Sequence, residues 1–318
     1  MKDLVCRICM NKDRNVEFSF TERMFGLGGS FKYFKCSECG CLQINTHLNN
    51  IADYYPSNYY SFSSPSLKNI RMRLIFLRDS YAILRKNILG LIAHLITPNI
   101  FFNELYKLNL NAESKILDVG CGAGNLIRKL RMLGFRKAVG VDPFIEKDLD
   151  NSEIKILKKN ITEIHGEWDV IMFNHSLEHM FNQQENLQSA SLNLAADGFC
   201  IVRIPLVSSY AWNVYGENWF QLDAPRHFYL HSERSMTLLA NSCGFKVEKV
   251  VYDSTEFGLL GSEFYSKNNA FYQNDKLINL YSVFPKKVIK RFRKLARFQN
   301  SQSQGDQAIF LLKKSIQF

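Results

Sequence analysis

Three glycines lie between a predicted strand and a predicted helix in the segment Ile116–Asn125, and they constrain the fold more than any other feature. Gly120, Gly122 and Gly124 permit a tight turn and let a ligand approach the backbone closely. The N-terminus of the following helix offers unpaired N–H groups and a partial positive charge. The spacing departs from the G-x-G-x-x-G dinucleotide fingerprint, which would require glycine where Asn125 stands.

Two acidic residues flank this turn. Asp118 precedes the first glycine, and Asp142 ends the next predicted strand, Ala138–Asp142. A carboxylate at the end of that strand can accept hydrogen bonds from the two hydroxyls of a ribose. The combination of glycines and acids therefore favours a ligand that carries a nucleoside.

Strands and helices alternate through the rest of the chain, which predicts an open, mostly parallel α/β sheet. The predicted strands are Lys115–Val119, Ala138–Asp142, Ile154–Leu157, Asp169–Phe173, Phe199–Ile204, Lys246–Tyr252 and Ala308–Lys313. A hydrophobic fraction of 46% and a charged fraction of 22% exclude wholesale disorder. We expect a doubly wound, Rossmann-like α/β domain over residues 112–318.

The motifs Asp118–Gly124 and Gly140–Asp142 resemble the first two motifs of class I S-adenosylmethionine (SAM)-dependent methyltransferases. The resemblance extends over roughly residues 112–254 and the terminal strand. It implies that the three glycines line the methionine and ribose of SAM. It further implies a cofactor-contacting role for these residues: Asp118 at the amino group, Asp142 at the ribose, Asn160 and Ile161 at the adenine, and Asn174 and His175 beside the sulfonium.

Four of the eight cysteines form two C-x-x-C pairs near the N-terminus. Cys6, Cys9, Cys36 and Cys39 have a spacing that suits a structural, tetrahedral Zn²⁺ site. Cys41 is an additional thiol that is either buried or a competing ligand. We therefore expect residues 1–50 to form a small zinc-ribbon-like module. Such a module ahead of a methyltransferase domain is similar to sugar C-methyltransferases and to methyltransferases of bacterial surface polysaccharides.

The segment Asn218–Ser232 resembles the W-x-x-x-D-x-P-R-H motif of the type 23 methyltransferase subgroup. His227 is our candidate for the general base, because histidine titrates near neutral pH; the alternative is a structural hydrogen bond. Asp223 is a second candidate catalytic residue, which would orient His227 or bind an acceptor hydroxyl. Arg226 either binds an acidic group of the acceptor or forms a salt bridge with Asp223.

A second polar cluster, Asn174–His179, follows the fourth predicted strand. His179 is a candidate catalytic residue, and a packing role is the alternative. A metal site made from His175, Glu178 and His179 is a weaker interpretation, because no further ligand stands at a recognisable spacing. The aromatic residues of the neighbouring linker either contact a sugar or pack on the surface: Tyr54, Tyr55, Tyr59 and Tyr60.

The net charge of +10 comes from two segments. Residues 68–86 carry +5 and residues 286–298 carry +7, so the rest of the chain carries about −2. Within residues 51–111 we expect a linker and one amphipathic helix over 68–96, which either packs on a core or contacts a membrane surface or a partner. Residues 255–307 form a predicted helical insertion before the last strand, with a basic amphipathic helix that either packs on the domain or contacts an anionic membrane.

These patterns predict a SAM-dependent methyltransferase acting on a sugar-type acceptor, as a nucleotide- or lipid-linked glycan intermediate. An RNA methyltransferase that uses the zinc module and basic helices for binding is one alternative, although nucleic acid is the weaker choice of partner. A non-catalytic SAM-binding protein is the other. The N-terminus lacks an apolar signal region, so we expect a cytoplasmic protein, with peripheral contact at the inner membrane surface as a further possibility.

Overall fold

The computed structural model describes residues 4–46, 51–55, 70–273 and 276–315. The strands are β1 Val16–Glu22, β2 Gly28–Lys35, β3 Leu42–Ile44, β4 Ile116–Val119, β5 Ala138–Val141, β6 Leu149–Asp150, β7 Lys155–Leu157, β8 Trp168–Asn174, β9 Leu194–Pro205, β10 Tyr229–Leu230, β11 Phe245–Tyr252, β12 Tyr272–Gln273, β13 Lys276–Leu277 and β14 Gln307–Lys314. The α-helices are α1 Ile70–Leu84, α2 Ile88–Ile96, α3 Ile100–Tyr106, α4 Asn125–Met132, α5 Gln183–Asn193, α6 Tyr210–Tyr215, α7 Glu233–Ser242, α8 Glu256–Tyr265, α9 Leu280–Val283 and α10 Lys286–Ser301.

The chain divides into two compact units, neither of which is continuous in sequence. Unit 1 comprises Met1–Asn58, His175–Ser191 and Val202–Phe318, and unit 2 comprises Tyr59–Asn174 and Leu192–Ile201. Strand β9 contributes residues to both units. The expected domain boundaries after residues 50 and 111 stay a prediction.

Unit 2 contains the strand order β9-β8-β4-β5-β7-β6. Strand β4 pairs in parallel with β5 and β8, and β5 pairs in parallel with β7, whereas β6 runs antiparallel to β7. Strand β4 and the centre of β8 are buried, which explains their continuous apolar sequences. This mixed sheet confirms the predicted Rossmann-like α/β fold.

Unit 1 contains a separate four-stranded sheet with the order β1-β2-β3-β10. Strand β3 pairs antiparallel with β10, so that Leu42 lies opposite Leu230 and Gln43 opposite Tyr229. The cysteine-bearing N-terminal segment therefore shares its sheet with the strand that follows Arg226 and His227. Strands β11 and β14 pair antiparallel in the same unit, as expected for a terminal hairpin.

The prediction of one continuous helix over residues 68–96 was wrong. Helices α1 and α2 are separate, and Arg85 and Asn87 between them have φ angles of 55° and 71°. Asn87 caps α2 by accepting a hydrogen bond from the backbone amide of Gly90. The apolar stripe continues in sequence across the non-helical residues 85–87, so periodicity alone could not reveal the break.

The predicted insertion before the last strand contains α8, α9 and the basic helix α10. Phe292 and Ala296 of α10 are buried, and α10 packs against α8. Arg293 forms an ion pair with Glu256 of α8. The apolar side of α10 thus packs on the protein itself, which is the first of the two alternatives for this helix. Among the residues that the structure describes, no helix is long and apolar enough to cross a bilayer.

Candidate active site: a glycine turn and a histidine cluster

The glycine turn joins the end of β4 to the start of α4, as the sequence predicts. Gly120, Gly122 and Gly124 have φ angles of 73°, 51° and 70°, a region that side chains other than glycine disfavour. A Cβ atom on Gly124 would lie 2.3 Å from Cδ1 of Ile156. Glycine is therefore required at position 124 by both backbone conformation and packing against β7.

The carboxylate of Asp142 is fixed by two backbone amides. The amide of Gly122 donates to Oδ2 at 2.9 Å, and the amide of Phe144 donates to Oδ1 at 2.9 Å. The amide of Gly120 also donates to the carbonyl oxygen of Val141 at 2.8 Å. These bonds hold the glycine turn against the end of β5, so Asp142 is oriented before any ligand arrives.

Asp118 is a second buried carboxyl group beside this turn, with 3% of its surface exposed. Burial, followed by the negative charge of Asp142, raises the pKa of Asp118 from 3.8 to about 8. Two acids held close together in a buried place favour a ligand that brings positive charge. The glycines and the acids together fit the sulfonium and ammonium groups of SAM.

The other residues expected to contact the cofactor differ from one another in exposure and in their contacts. Asn160 is exposed and its backbone amide donates to Oε2 of Glu163 at 2.7 Å, whereas Ile161 is buried. Asn174 ends β8 and is partly buried. His175 follows with a φ angle of 53°, and its Nδ1 lies 3.5 Å from Oε1 of Glu178.

The four predicted zinc ligands lie together in unit 1. The sulfur atoms of the four cysteines all lie within 4.8 Å of one another: Cys6, Cys9, Cys36 and Cys39. The Sγ atoms of Cys6 and Cys39 are 3.5 Å apart, as are those of Cys9 and Cys36. Cys41 is buried but does not belong to this group.

N–H groups point at the sulfur atoms of this cluster. The side-chain amide of Gln43 lies 2.8 Å from Sγ of Cys6, and the backbone amide of Cys39 lies 3.5 Å from Sγ of Cys36. Such donors stabilise thiolates, which are the form of cysteine that binds metal. The set of four sulfurs fits a tetrahedral Zn²⁺ ion.

Arg226 is completely buried, and its guanidinium group is occupied by protein partners. It bonds to Asp223 at 2.6 Å, to Glu22 at 2.7 Å and to the carbonyl oxygen of Tyr54 at 3.0 Å. Of the two alternatives for Arg226, the structure shows the salt bridge with Asp223, and the binding of an acidic acceptor group by Arg226 is not supported. The three buried charges fix the conformation of the segment that carries His227.

His179 and His227 lie against each other, with ring centroids 4.5 Å apart. Nδ1 of His227 is 2.8 Å from the carbonyl oxygen of Gln221, and Nδ1 of His179 is 3.1 Å from that of Arg226. A carbonyl oxygen can only accept, so both Nδ1 atoms carry a proton, and Nε2 is the nitrogen that bears the lone pair in the neutral form of each ring. Oδ2 of Asp223 is 3.9 Å from Nε2 of His227.

Burial, followed by the repulsion that a proton on His179 would meet from a protonated His227, lowers the pKa of His179 to about 4. Its imidazole is therefore neutral at pH 7. For Glu178, burial by itself would raise the pKa. A hydrogen bond from His175 and the electrostatic effect of the nearby imidazoles outweigh burial and lower the pKa of Glu178 to about 2. The cluster consequently combines the ionised carboxylate of Glu178 with the neutral imidazole of His179.

Tyr54 and Tyr55 of the expected aromatic patch contact this cluster. The carbonyl oxygen of Tyr54 accepts a hydrogen bond from Arg226, and the Tyr55 hydroxyl lies 3.1 Å from Nδ1 of His179. Tyr59 and Tyr60 lie outside the described residues.

Sequence reasoning missed Glu22 and Tyr33. Glu22 is 3% exposed and pairs with Arg226, and the Tyr33 hydroxyl donates to the carbonyl oxygen of His227 at 2.8 Å. One signal for Glu22 was present, because Phe20 and Glu22 alternate on the buried face of β1. An acid on an apolar strand face implies a buried cationic partner, although it does not identify Arg226.

The sheet of unit 2 and its glycine turn define a class I, Rossmann-like methyltransferase fold. Residues 92–250, half of the chain, match the type 23 family described as a methyltransferase domain. The chain belongs to this family and is a SAM-dependent methyltransferase. No curated protein matches it.

Several solved structures are similar to the chain. A SAM-dependent methyltransferase from Archaeoglobus fulgidus is 16% identical, with 72% of this chain and 100% of that chain covered and a TM-score of 0.42. Magnesium protoporphyrin IX methyltransferase from Synechocystis is 12% identical, with coverages of 83% and 97% and a TM-score of 0.42. An O-methyltransferase from a polyketide synthase of Brevibacillus brevis is 14% identical, with coverages of 64% and 67% and a TM-score of 0.37.

Proposed function

We propose that this methyltransferase acts on a sugar-type acceptor, a nucleotide- or lipid-linked intermediate of glycan biosynthesis. The observation that carries the proposal is the contact between the imidazoles of His179 and His227. Both Nδ1 atoms bond to backbone carbonyl oxygens, which leaves the Nε2 atoms as candidate proton acceptors. His227 belongs to the segment Asn218–Ser232, called the acceptor segment below. Methylation of a sugar hydroxyl, or of a carbon next to a ketone, requires the removal of a proton. The choice of a sugar rests on the resemblance of the Trp219–His227 motif and the zinc module to sugar and polysaccharide methyltransferases.

In this proposal the glycine turn and its acids hold the cofactor. SAM, when bound, supplies an electrophilic methyl group on its sulfonium. Asp142 accepts hydrogen bonds from the ribose, and Asp118 pairs with the amino group. Asn160, Ile161, Asn174 and His175 complete the proposed cofactor contacts, Ile161 by apolar packing because its side chain is buried.

His227 is the proposed general base. Its Nε2 lone pair takes the acceptor proton, while Nδ1–H stays bonded to the carbonyl oxygen of Gln221. Asp223, held by Arg226, lies close enough to Nε2 to stabilise the imidazolium that forms. His179 contributes a neutral imidazole, so that it adds no positive charge beside His227 when His227 takes up the proton at pH 7.

We propose a structural Zn²⁺ ion for the four thiolates. Zinc would stabilise the N-terminal module, and this module holds the acceptor segment through several bonds. The amide of Ile44 donates to the carbonyl oxygen of Phe228 at 3.0 Å, and the hydroxyl of Ser232 donates to the carbonyl oxygen of Cys39. The metal is therefore expected to support catalysis indirectly, by keeping His227 in position.

Transfer of labelled methyl groups from SAM to a panel of nucleotide sugars tests the proposed reaction. His227→Gln should reduce kcat by about 100-fold or more while the affinity for SAM is unchanged. His165→Gln is the matched control, because His165 is exposed. Methylation of RNA without any sugar product would overturn the choice of acceptor, and full activity of His227→Gln would overturn the choice of base.

A second proposal concerns the membrane, and of the two segments for which this contact was an alternative it chooses the first, at helix α2. Helix α2 exposes a set of large apolar side chains: Ile88, Leu89, Ile92, Leu95 and Ile96. Ile88 and Leu95 are 75% and 72% exposed, and the exposed Lys86 lies just before the helix. An apolar face beside cationic groups suits an anionic bilayer surface, where a lipid-linked acceptor would also reside.

Co-sedimentation with phosphatidylserine-containing vesicles tests this contact. The double variant Ile88→Ser and Leu95→Ser should release the protein from the vesicles, whereas Lys287→Ser and Lys290→Ser in α10 should have the smaller effect. Equal binding by the α2 variant and the unaltered protein would refute the assignment to α2.

A further inference from the structure

We propose that Glu178, His179 and His227 form a binding site for one divalent transition-metal ion, separate from the four-cysteine cluster. The three residues come from two segments of unit 1, which lie about 50 positions apart in the sequence. This inference goes beyond the proposed methyl transfer and does not depend on it. It concerns the binding of an ion by side chains that the structure brings together.

The three side chains have the proximity that a metal requires. Each offers one ligand atom, and these atoms all lie within 4.8 Å of one another. Because both Nδ1 atoms bond to backbone carbonyls, the nitrogens left for an ion are the two Nε2 atoms. The sequence spacing suggested only His175, Glu178 and His179, and the fold replaces His175 by His227.

An unpaired oxygen of Glu178 points to a missing partner. Glu178 is 1% exposed, and within the described part of the chain its Oε2 atom has no hydrogen-bond donor. The other oxygen, Oε1, lies 3.5 Å from Nδ1 of His175. Leaving a buried carboxylate oxygen without a partner destabilises the folded protein. A bound cation would remove this cost.

The surroundings of the two imidazoles are those of metal-binding histidines. Such histidines usually donate the other ring N–H to a backbone carbonyl or a carboxylate, which fixes the orientation of the ring. Here the carbonyl oxygens of Gln221 and Arg226 accept those protons. Asp223 next to the cluster already bonds to the guanidinium of Arg226, whereas Oε2 of Glu178 has no donor among the described residues, so Glu178 is the carboxylate left to bind an ion.

The donor set also restricts the ion. Two imidazole nitrogens and one carboxylate oxygen suit Zn²⁺, Co²⁺, Fe²⁺, Mn²⁺ or Ni²⁺ better than Ca²⁺ or Mg²⁺, which prefer oxygen ligands. Three protein ligands leave coordination positions open, as in metal sites that also bind a small molecule. An ion here occupies the lone pairs that the proposed base uses, so the metal-loaded and proton-accepting forms exclude each other.

Cobalt is the probe, added to the purified full-length protein after its four-cysteine cluster has been loaded with Zn²⁺. We expect one Co²⁺ per chain, with the weak visible absorption of nitrogen and oxygen ligation, and no thiolate charge-transfer band. Calorimetric titration gives the affinity. His227→Gln and His179→Gln should each weaken binding by at least about tenfold, whereas the exposed-site control His165→Gln should leave it unchanged.

Glu178→Gln is the second test, with circular dichroism to confirm that each variant folds. If Glu178→Gln fails to fold, the histidine variants still decide the matter. Absence of a second bound ion, a spectrum dominated by thiolate charge transfer, or unchanged affinity in His227→Gln would each overturn the proposal.

Discussion

Asp118→Asn should stabilise the free protein, and the gain should grow with pH. The carboxyl group of Asp118 is buried next to Asp142, and its pKa in the folded protein is raised from 3.8 to about 8. Asparagine has the same shape and does not ionise. The substitution therefore removes the cost of keeping this group in a place that disfavours its charge.

The size of the effect follows from the shift in pKa. Between pH 3.8 and about 8, Asp118 is protonated in the folded state and ionised in the unfolded state. The unfolded state thus binds fewer protons, so the free energy of unfolding falls by about 1.4 kcal/mol per pH unit in this window. The advantage of Asp118→Asn should be roughly 2 to 3 kcal/mol larger at pH 7 than at pH 5 and should level off above about pH 8.

Urea denaturation at pH 5, 6, 7 and 8, without SAM and with zinc present, measures this difference. Asp197→Asn is the control, since Asp197 belongs to the same unit and is exposed. The same variant should bind SAM more weakly, because asparagine cannot ionise to pair with the amino group of SAM when the cofactor binds. A stability difference between Asp118→Asn and the unaltered protein that does not change with pH would refute the reasoning.

Three further expectations follow from other parts of the structure. Gly124→Ala should lower the free energy of unfolding by about 2–4 kcal/mol, because a Cβ atom there meets Ile156. Gly134→Ala is the control in the same denaturation assay: a Cβ atom at this glycine meets open space, so its loss of stability measures the backbone strain alone. Tyr33→Phe should cost about 1–3 kcal/mol and lower kcat without changing SAM affinity, because it leaves the carbonyl oxygen of His227 without its donor. Removal of zinc by a chelator should abolish methyl transfer but leave SAM binding in place, as calorimetry and labelled transfer would show together; equal loss of both would contradict this separation.

The fold of unit 2 was predictable because its signals are local. The buried sequences of β4 and β8 and the glycine turn each identify their own element, and the structure differs from the predicted ends by only a residue or two. The break between α1 and α2 was missed because it depends on contacts between the two helices. A Cβ atom on Gly90 would lie 2.3 Å from the carbonyl oxygen of Leu77, so this glycine permits a close approach that no periodicity shows.

The candidate site was predictable residue by residue but not as an arrangement. His179 and His227 were each recognisable from a motif, yet nothing in the sequence indicated that their rings would lie 4.5 Å apart. The pairing of Arg226 with Glu22 was even harder to predict, since Glu22 lies 204 positions away in the sequence and belongs to no motif. Tertiary pairing over such separations is decided by the whole fold rather than by local pattern.

The pairing of β3 with β10 has a consequence for the order in which the molecule can form. The N-terminal sheet receives its last strand from residues 229–230, so the sheet cannot be complete until most of the chain has left the ribosome. Contacts over such long separations close a large loop and slow folding. Until then the edge of β3 stays open to other strands. We therefore expect an expressed fragment of residues 1–55 to aggregate or to remain unfolded, even when its four cysteines are supplied with zinc.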